Sequence, residues 1–101
     1  MELVMNLSLE QVRERLREEM PSLRQQFSVK SLAVFGSVAR HDPHPNDLDL
    51  LVEYNEVPGL FEFIALENHL SDLFGIKVDL CTADSLKPRV SKNALKEMVL
   101  V

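Results

Sequence analysis

Leu32-Ala-Val-Phe-Gly-Ser-Val-Ala-Arg-His-Asp-Pro-His-Pro-Asn-Asp-Leu-Asp-Leu-Leu-Val-Glu53 is the stretch on which the fold of this chain turns. An apolar run enters a Gly-Ser corner, a polar loop follows, and a second apolar run opens with Asp47-Leu48-Asp49. The first run, Val29 to Phe35, is short and almost continuously apolar, which predicts a strand buried on both faces. Gly36 ends it, and Ser37 to Arg40 has the composition of one helical turn. Pro43 and Pro45 make His41 to Asn46 a loop. The second strand, about Leu48 to Tyr54, puts Leu48, Leu50 and Val52 on one face. Asp47, Asp49, Leu51 and Glu53 take the other, because strand side chains alternate. Two carboxylates side by side at the mouth of a strand contribute nothing to packing. A divalent cation is the simplest compensation for them.

Outward from this stretch the pattern continues. Asn55 to Gly59 is a turn, and Leu60 to Phe74 is a helix with an expected buried stripe of Leu60, Phe63, Ile64, Leu70, Leu73 and Phe74. Gly75 is placed to end it. A third strand runs from Ile76 to Thr82, with Ile76, Val78 and Leu80 facing the core and Lys77, Asp79 and Cys81 facing away. Upstream, Ser8-Leu-Glu-Gln11 is a capping box, and Leu9, Val12, Leu16, Met20 and Leu23 form one apolar helix face. Pro21 is expected to kink or restart that helix, leaving a short second segment that ends near Phe27. Downstream, Thr82 can cap a turn through Leu86, and Pro88 opens a last helix to about Met98. The apolar end, Met98-Val-Leu-Val101, reads as a late strand or a docking segment.

Composition narrows the function classes. A chain of 101 residues is expected to be one domain, burying roughly two-thirds of its unfolded surface. No apolar run approaches the roughly 18 residues of a spanning helix, and Met1 to Asn6 lacks the pattern of a signal peptide. The single cysteine, Cys81, excludes an internal disulfide and every multi-cysteine metal site. These features together predict a cytoplasmic protein with no membrane association. A net charge of −5 argues against direct nucleic-acid binding, which needs clustered Lys and Arg to displace counterions. The basic groups at Arg13–Arg17, Lys87–Arg89 and Lys92–Lys96 read as solvated helix faces.

Asp79 is the third carboxylate of interest. If the third strand lies beside the second, alternation brings Asp79 to the face that carries Asp47 and Asp49. Three carboxylates without evident cationic neighbours repel one another. Mg²⁺ suits such a set, since it takes a few carboxylates together with substrate phosphates. Two ions about 3.5–4 Å apart would clamp the attacking and leaving oxygens of a phosphoryl displacement. Gly36-Ser37 supplies the complementary half: a strand turning through glycine into a helical start exposes backbone N–H groups to a phosphate. Arg40 is placed to reach a phosphate, or to pair with Asp42 or Glu53, and Lys77 could contact a triphosphate. His41 and His44 read as members of a solvated loop, His69 as a surface residue, and Cys81 as a small core thiol.

These motifs carry a resemblance. Gly36-Ser37, nine residues, Asp47-Leu48-Asp49 and then Val78-Asp79-Leu80 resemble the DNA polymerase β-type nucleotidyltransferases, and among them the minimal nucleotidyltransferase branch. The likeness extends to Phe35-Gly-Ser-Val-Ala-Arg40, Asp49-Leu-Leu-Val-Glu53 and Lys87-Pro88-Arg89. It covers about Leu9 to the end. The resemblance implies an α/β (α+β) fold, a small mixed β-sheet with helices packed on one side. It implies that Gly36 and Ser37 hold the triphosphate of ATP and that Asp47 and Asp49 bind two Mg²⁺ ions. Asp79 would bind the catalytic ion and help deprotonate the attacking hydroxyl. The branch resembles the MntA-type antitoxins, which are encoded beside a HEPN-domain RNase toxin and adenylylate one of its tyrosines. The expected partner is therefore an adjacently encoded HEPN protein, with an oligomer formed together with it. Two departures stand out: the Gly-Ser to Asp gap is one residue shorter than in many members, and Asn46 replaces the usual serine.

Three functions fit these residues. The first is a metal-dependent transferase that moves AMP onto a protein hydroxyl and releases pyrophosphate. The second is an idle antitoxin that neutralises its partner by occlusion. The third is a transferase for small molecules. A chain of this length is expected to leave no room for the additional domains that hold nucleic acid or small acceptors, and it carries Gly36, Ser37, Asp47, Asp49 and Asp79. Both features favour the first.

Overall fold

The computed structural model describes residues 8–41, 47–82 and 98–101. In chain order these are α1 (Leu9–Phe27), β1 (Val29–Phe35), α2 (Gly36–Ala39), β2 (Asp47–Tyr54), α3 (Leu60–Phe74), β3 (Lys77–Cys81) and β4 (Val99–Leu100). The sheet order is β3-β2-β1-β4. β1 runs antiparallel to β2 and to β4, whereas β2 and β3 are parallel and joined through α3. A parallel pair needs a long crossover, and α3 supplies it. The fold is thus mixed α/β, and the apolar terminus is a late strand as the sequence suggests. The last-helix expectation and the Lys87-Pro88-Arg89 motif lie outside the described residues. No described helix is long and apolar enough to cross a membrane.

α1 begins on the capping box. Ser8 Oγ accepts the Gln11 N–H at 3.1 Å, and Gln11 Oε1 accepts the Ser8 N–H at 3.2 Å, satisfying two end donors. Leu9, Val12, Leu16, Met20 and Leu23 are its buried face. The separate short segment expected after Pro21 does not form: α1 continues as one element to Phe27. Pro21 is exposed, so its ring points away from the core, while Met20 and Leu23 anchor the helix on either side. Packing of the apolar face outweighs one missing backbone hydrogen bond. The helix stops at Ser28, in the left-handed region at φ 58°.

The core lies between the helices and one sheet face. Leu32 and Val34 of β1, Leu48, Leu50 and Val52 of β2, and Val78 and Leu80 of β3 meet the α1 stripe and Leu66 and Leu70 of α3. Strict alternation from Leu32 would turn Val29 outward and Lys30 inward. A bulge between Val29 and Ser31 resets the phase, so that Val29 is buried and Lys30 exposed. On the opposite sheet face Phe35 and Cys81 are buried together, with Leu51 and Met98 packed against them. Cys81 is a buried thiol, consistent with a core role.

α3 has the expected bounds but a rotated inner face. Leu66 and Leu70 are buried, with Phe63, Leu73 and Phe74 packed against the core. Leu60 and Ile64, expected inside, are exposed. The helix carries apolar residues around much of its circumference, so periodicity alone fits two phases; the sheet selects 63, 66, 70, 73 and 74. His69 is also not a plain surface residue: its ring lies 5.5 Å from that of Phe27, tilted at 38°, and it is half-buried.

β3 is a sheet edge, and its outward donors are occupied. Val78 N–H donates to Ser71 Oγ and Leu80 N–H to Glu67 Oε2, each at 3.0 Å. α3 therefore seals this edge as well as covering the face. Unpaired edge strands recruit foreign strands, and side-chain acceptors block that route.

Candidate active site

The site is built where β1 ends and β2 begins. β1 delivers Phe35, after which Gly36 takes φ +74° and turns the chain into α2. A left-handed backbone with no Cβ is what glycine permits at low cost. Val38 is buried in the main core, which pins the four-residue turn to the sheet. Arg40 N–H closes the turn onto Gly36 O at 3.0 Å, and His41 N–H reaches Val38 O at 3.0 Å. His41 itself takes φ 62° and carries the chain out of the corner. The first N–H groups of such a turn have no acceptor within the helix.

Register places the carboxylates. Phe35 lies opposite Asp49 across β1–β2, and Asp49 lies beside Asp79 across β2–β3. Neighbouring strands are about 4.8 Å apart, so the two side chains on this face are within reach of one cation. Asp47, two residues earlier on the same strand, also points to this face, and all three carboxylates are half-buried. Ser37 Oγ donates to Asp47 O at 3.5 Å, the long end of the hydrogen-bonding range. This contact ties the turn to the first residue of β2. A Cβ built on Gly36 would collide with the Asp49 carboxylate. The glycine is therefore required by contact as well as by dihedral angle.

The arrangement brings Gly36, Ser37, Asp47, Asp49 and Asp79 into one region. Arg40 ends α2 with an exposed side chain. His44 and Asn46 lie outside the described residues. Among the described residues, no three His, Cys, Asp or Glu side chains close around a point that would hold a metal ion as they stand. The donor set instead suits a shared one: two or three carboxylates on one face beside the Gly36–Ser37 turn leave positions for phosphate oxygens and water.

Two features needed the tertiary structure. Lys77, which strand alternation already puts on the face of Asp79, is the register partner of Asp47, so the carboxylate face does have a cationic neighbour. The clamps from Ser71 and Glu67 grip the N–H groups on either side of Asp79, fixing the strand that carries it. Neither hydroxyl nor carboxylate on α3 has a sequence signal for this role. Glu53, by contrast, is engaged away from the carboxylates, accepting from Ser31 Oγ at 2.6 Å.

A mixed sheet with a glycine-serine turn facing strand carboxylates defines a class of phosphoryl-transfer proteins. Residues 9–101 match the nucleotidyltransferase domain family, and the chain belongs to that family as a nucleotidyltransferase enzyme. It is 40% identical over 96 residues to the protein adenylyltransferase MntA of Thermococcus cleftensis, covering 94% of this chain and 97% of that one. A solved structure provisionally described as a minimal nucleotidyltransferase superposes with a TM-score of 0.72 at 35% identity, covering 94% and 97% of the two chains. A toxin–antitoxin crystal structure with AMP-PNP shares the fold, with a TM-score of 0.60 at 17% identity and coverage of 82% and 69%.

Proposed function

We propose that this chain is a protein adenylyltransferase antitoxin, transferring AMP from ATP to a tyrosine hydroxyl of an adjacently encoded HEPN-domain toxin. The observation that carries this reading is the register of Asp49 beside Asp79, against the Gly36–Ser37 turn. The 40% identity to a relative named for that activity supports the choice of a protein acceptor. The shared fold with a toxin–antitoxin pair holding an ATP analogue supports the partner and the nucleotide.

In this mechanism the backbone N–H groups of Gly36 and Ser37, with the Ser37 hydroxyl, hold the triphosphate, and Arg40 contacts it from the end of the turn. Asp47 and Asp49 would ligate two Mg²⁺ ions and Asp79 the catalytic one; when bound, Mg²⁺ neutralises phosphate charge and lowers the pKa of the attacking hydroxyl. Asp79 takes the proton from that hydroxyl. The acceptor oxygen forms its bond to the α-phosphorus, the α–β phosphoanhydride breaks, and pyrophosphate leaves. Gly36 keeps the Asp49 carboxylate close under the phosphates, because no side chain stands between them.

The test is incubation of the purified chain with ATP labelled in the α-phosphate, Mg²⁺ and the HEPN protein encoded beside it. Label is expected on the HEPN protein, with pyrophosphate released in equal amount. It is expected to vanish with Asp47→Ala, with Asp49→Ala and on chelation of Mg²⁺. Equal neutralisation of the toxin by wild type and by Asp47→Ala would overturn catalysis in favour of occlusion.

A further inference from the structure

α3 has a second apolar face that no described residue covers. Leu60, Phe61 and Ile64 on its first two turns, with Val57 in the preceding turn, are 71%, 84%, 41% and 96% exposed. They are neighbours: positions 60, 61 and 64 share one side of the helix, and Val57 stands at its entrance. A helix that is apolar on both sides is ordinarily covered on both, and a contiguous exposed apolar patch marks an interaction site.

Charge states the chemistry of the occupant. Between Arg40 and Lys77 the chain contains no Lys or Arg, and Glu56 and Glu62 edge the patch as exposed carboxylates. A second copy docking through the same patch would bring its own Glu56 and Glu62 to the seam and no Lys or Arg from residues 41–76 to offset them. A partner with an apolar groove flanked by Lys or Arg meets both requirements. The patch adjoins the strand that carries Asp79 but on the other side of the sheet: Val57 and Leu60 line one cavity with Leu80 and Thr82 at the end of β3, and Leu80 faces the helices. A partner seated here is anchored beside the site without covering the carboxylate face.

We propose that Val57, Leu60, Phe61 and Ile64 are the docking anchor for the folded acceptor protein, gripped in an apolar groove edged by basic residues. This rests on the reading of the chain as a protein adenylyltransferase. The anchor raises the residence time of the acceptor, while the carboxylate face performs the transfer.

The experiment compares the intact chain with Leu60→Ser/Phe61→Ser and with Glu56→Lys/Glu62→Lys, using the adjacently encoded HEPN protein as the probe. Calorimetry is expected to show binding weakened at least about tenfold in the serine variant, with its melting temperature and its affinity for Mg²⁺–ATP unchanged. The lysine variant, which keeps the apolar anchors, is expected to bind more slowly and to lose its salt dependence. In the transfer assay both raise the KM for the acceptor and leave kcat intact. Wild-type affinity and KM in the serine variant would overturn the anchor while leaving the transferase reading standing. Patch-dependent binding without transfer by wild type would leave the anchor standing and overturn the transferase. No binding by the wild type, or a dimer of the chain dissolved by the serine variant, would overturn the anchor in favour of no partner or a second copy.

Discussion

Gly36 and Asp49 approach so closely that a methyl group on Gly36 would occupy the space of the Asp49 carboxylate. The same glycine holds φ +74°, where an alanine is strained by roughly 1–2 kcal/mol. Gly36→Ala is therefore expected to push Asp49 or the turn aside and to cut transfer about a hundredfold, while the buried core keeps its secondary structure. Label transfer and a circular-dichroism melt measured on one preparation check this. A wild-type rate would show that the close contact is not used.

Glu67 and Leu80 make the second informative pair, since the Glu67 carboxylate accepts the Leu80 N–H at 3.0 Å. Glu67→Ala strips the acceptor from a partly buried donor and is expected to destabilise the fold by about 1–3 kcal/mol. Glu67→Gln keeps an acceptor oxygen and is expected to recover most of that loss. Urea denaturation of the two variants decides it, and equal midpoints would remove the clamp from the account of Asp79.

Two leucines on one helix should behave oppositely. Leu66 is fully buried, whereas Leu60 is exposed. Leu66→Ala is expected to cost about 2–5 kcal/mol through lost burial and a residual cavity. Leu60→Ala should stay within about 0.5 kcal/mol. Thermal unfolding of both variants is the measurement; comparable losses would mean that the outer face of α3 is packed.

Tyr54 gives the fold a pH dependence at the alkaline end. Burial pushes its phenol from 10.0 up to about 12, and its hydroxyl is buried with no hydrogen-bond partner among the described residues. The folded state then holds the proton more tightly than the unfolded chain. Its contribution is fully present below pH 10 and is lost as pH rises through about 12. Tyr54→Phe is expected to flatten the stability profile over that range. At neutral pH it should raise stability by about 1 kcal/mol, because a buried hydroxyl without a partner carries a desolvation penalty that phenylalanine does not. Denaturation midpoints at stepped pH test both statements.

Local chemistry wrote most of the fold into the sequence. The Ser8–Gln11 box, the Val29–Phe35 run, the glycine corner and the helix ending at Gly75 are decided within a few residues each, by capping, alternation and backbone freedom. Elsewhere two local solutions compete. Pro21 reads as a helix break, yet the apolar anchors on both sides carry α1 through it. Leu60 and Ile64 fit a buried stripe as well as Phe63 and Leu66 do, and only the position of the sheet chooses between them. Lys30 and Val29 exchange sides through a bulge that no residue pattern announces.

The sequence by itself determined the parts of the site: a glycine-serine turn, an Asp-x-Asp pair, and a third strand aspartate facing the same way. Those follow from side-chain period and backbone permissiveness, which are properties of neighbouring residues. The tertiary structure alone decided that β3 lies parallel to β2 with Asp79 beside Asp49, that Lys77 stands next to Asp47, and that α3 grips the edge strand through Ser71 and Glu67. Strand pairing and register are set by burial of faces across the whole sheet, so residues thirty apart in the chain meet only when the core has closed.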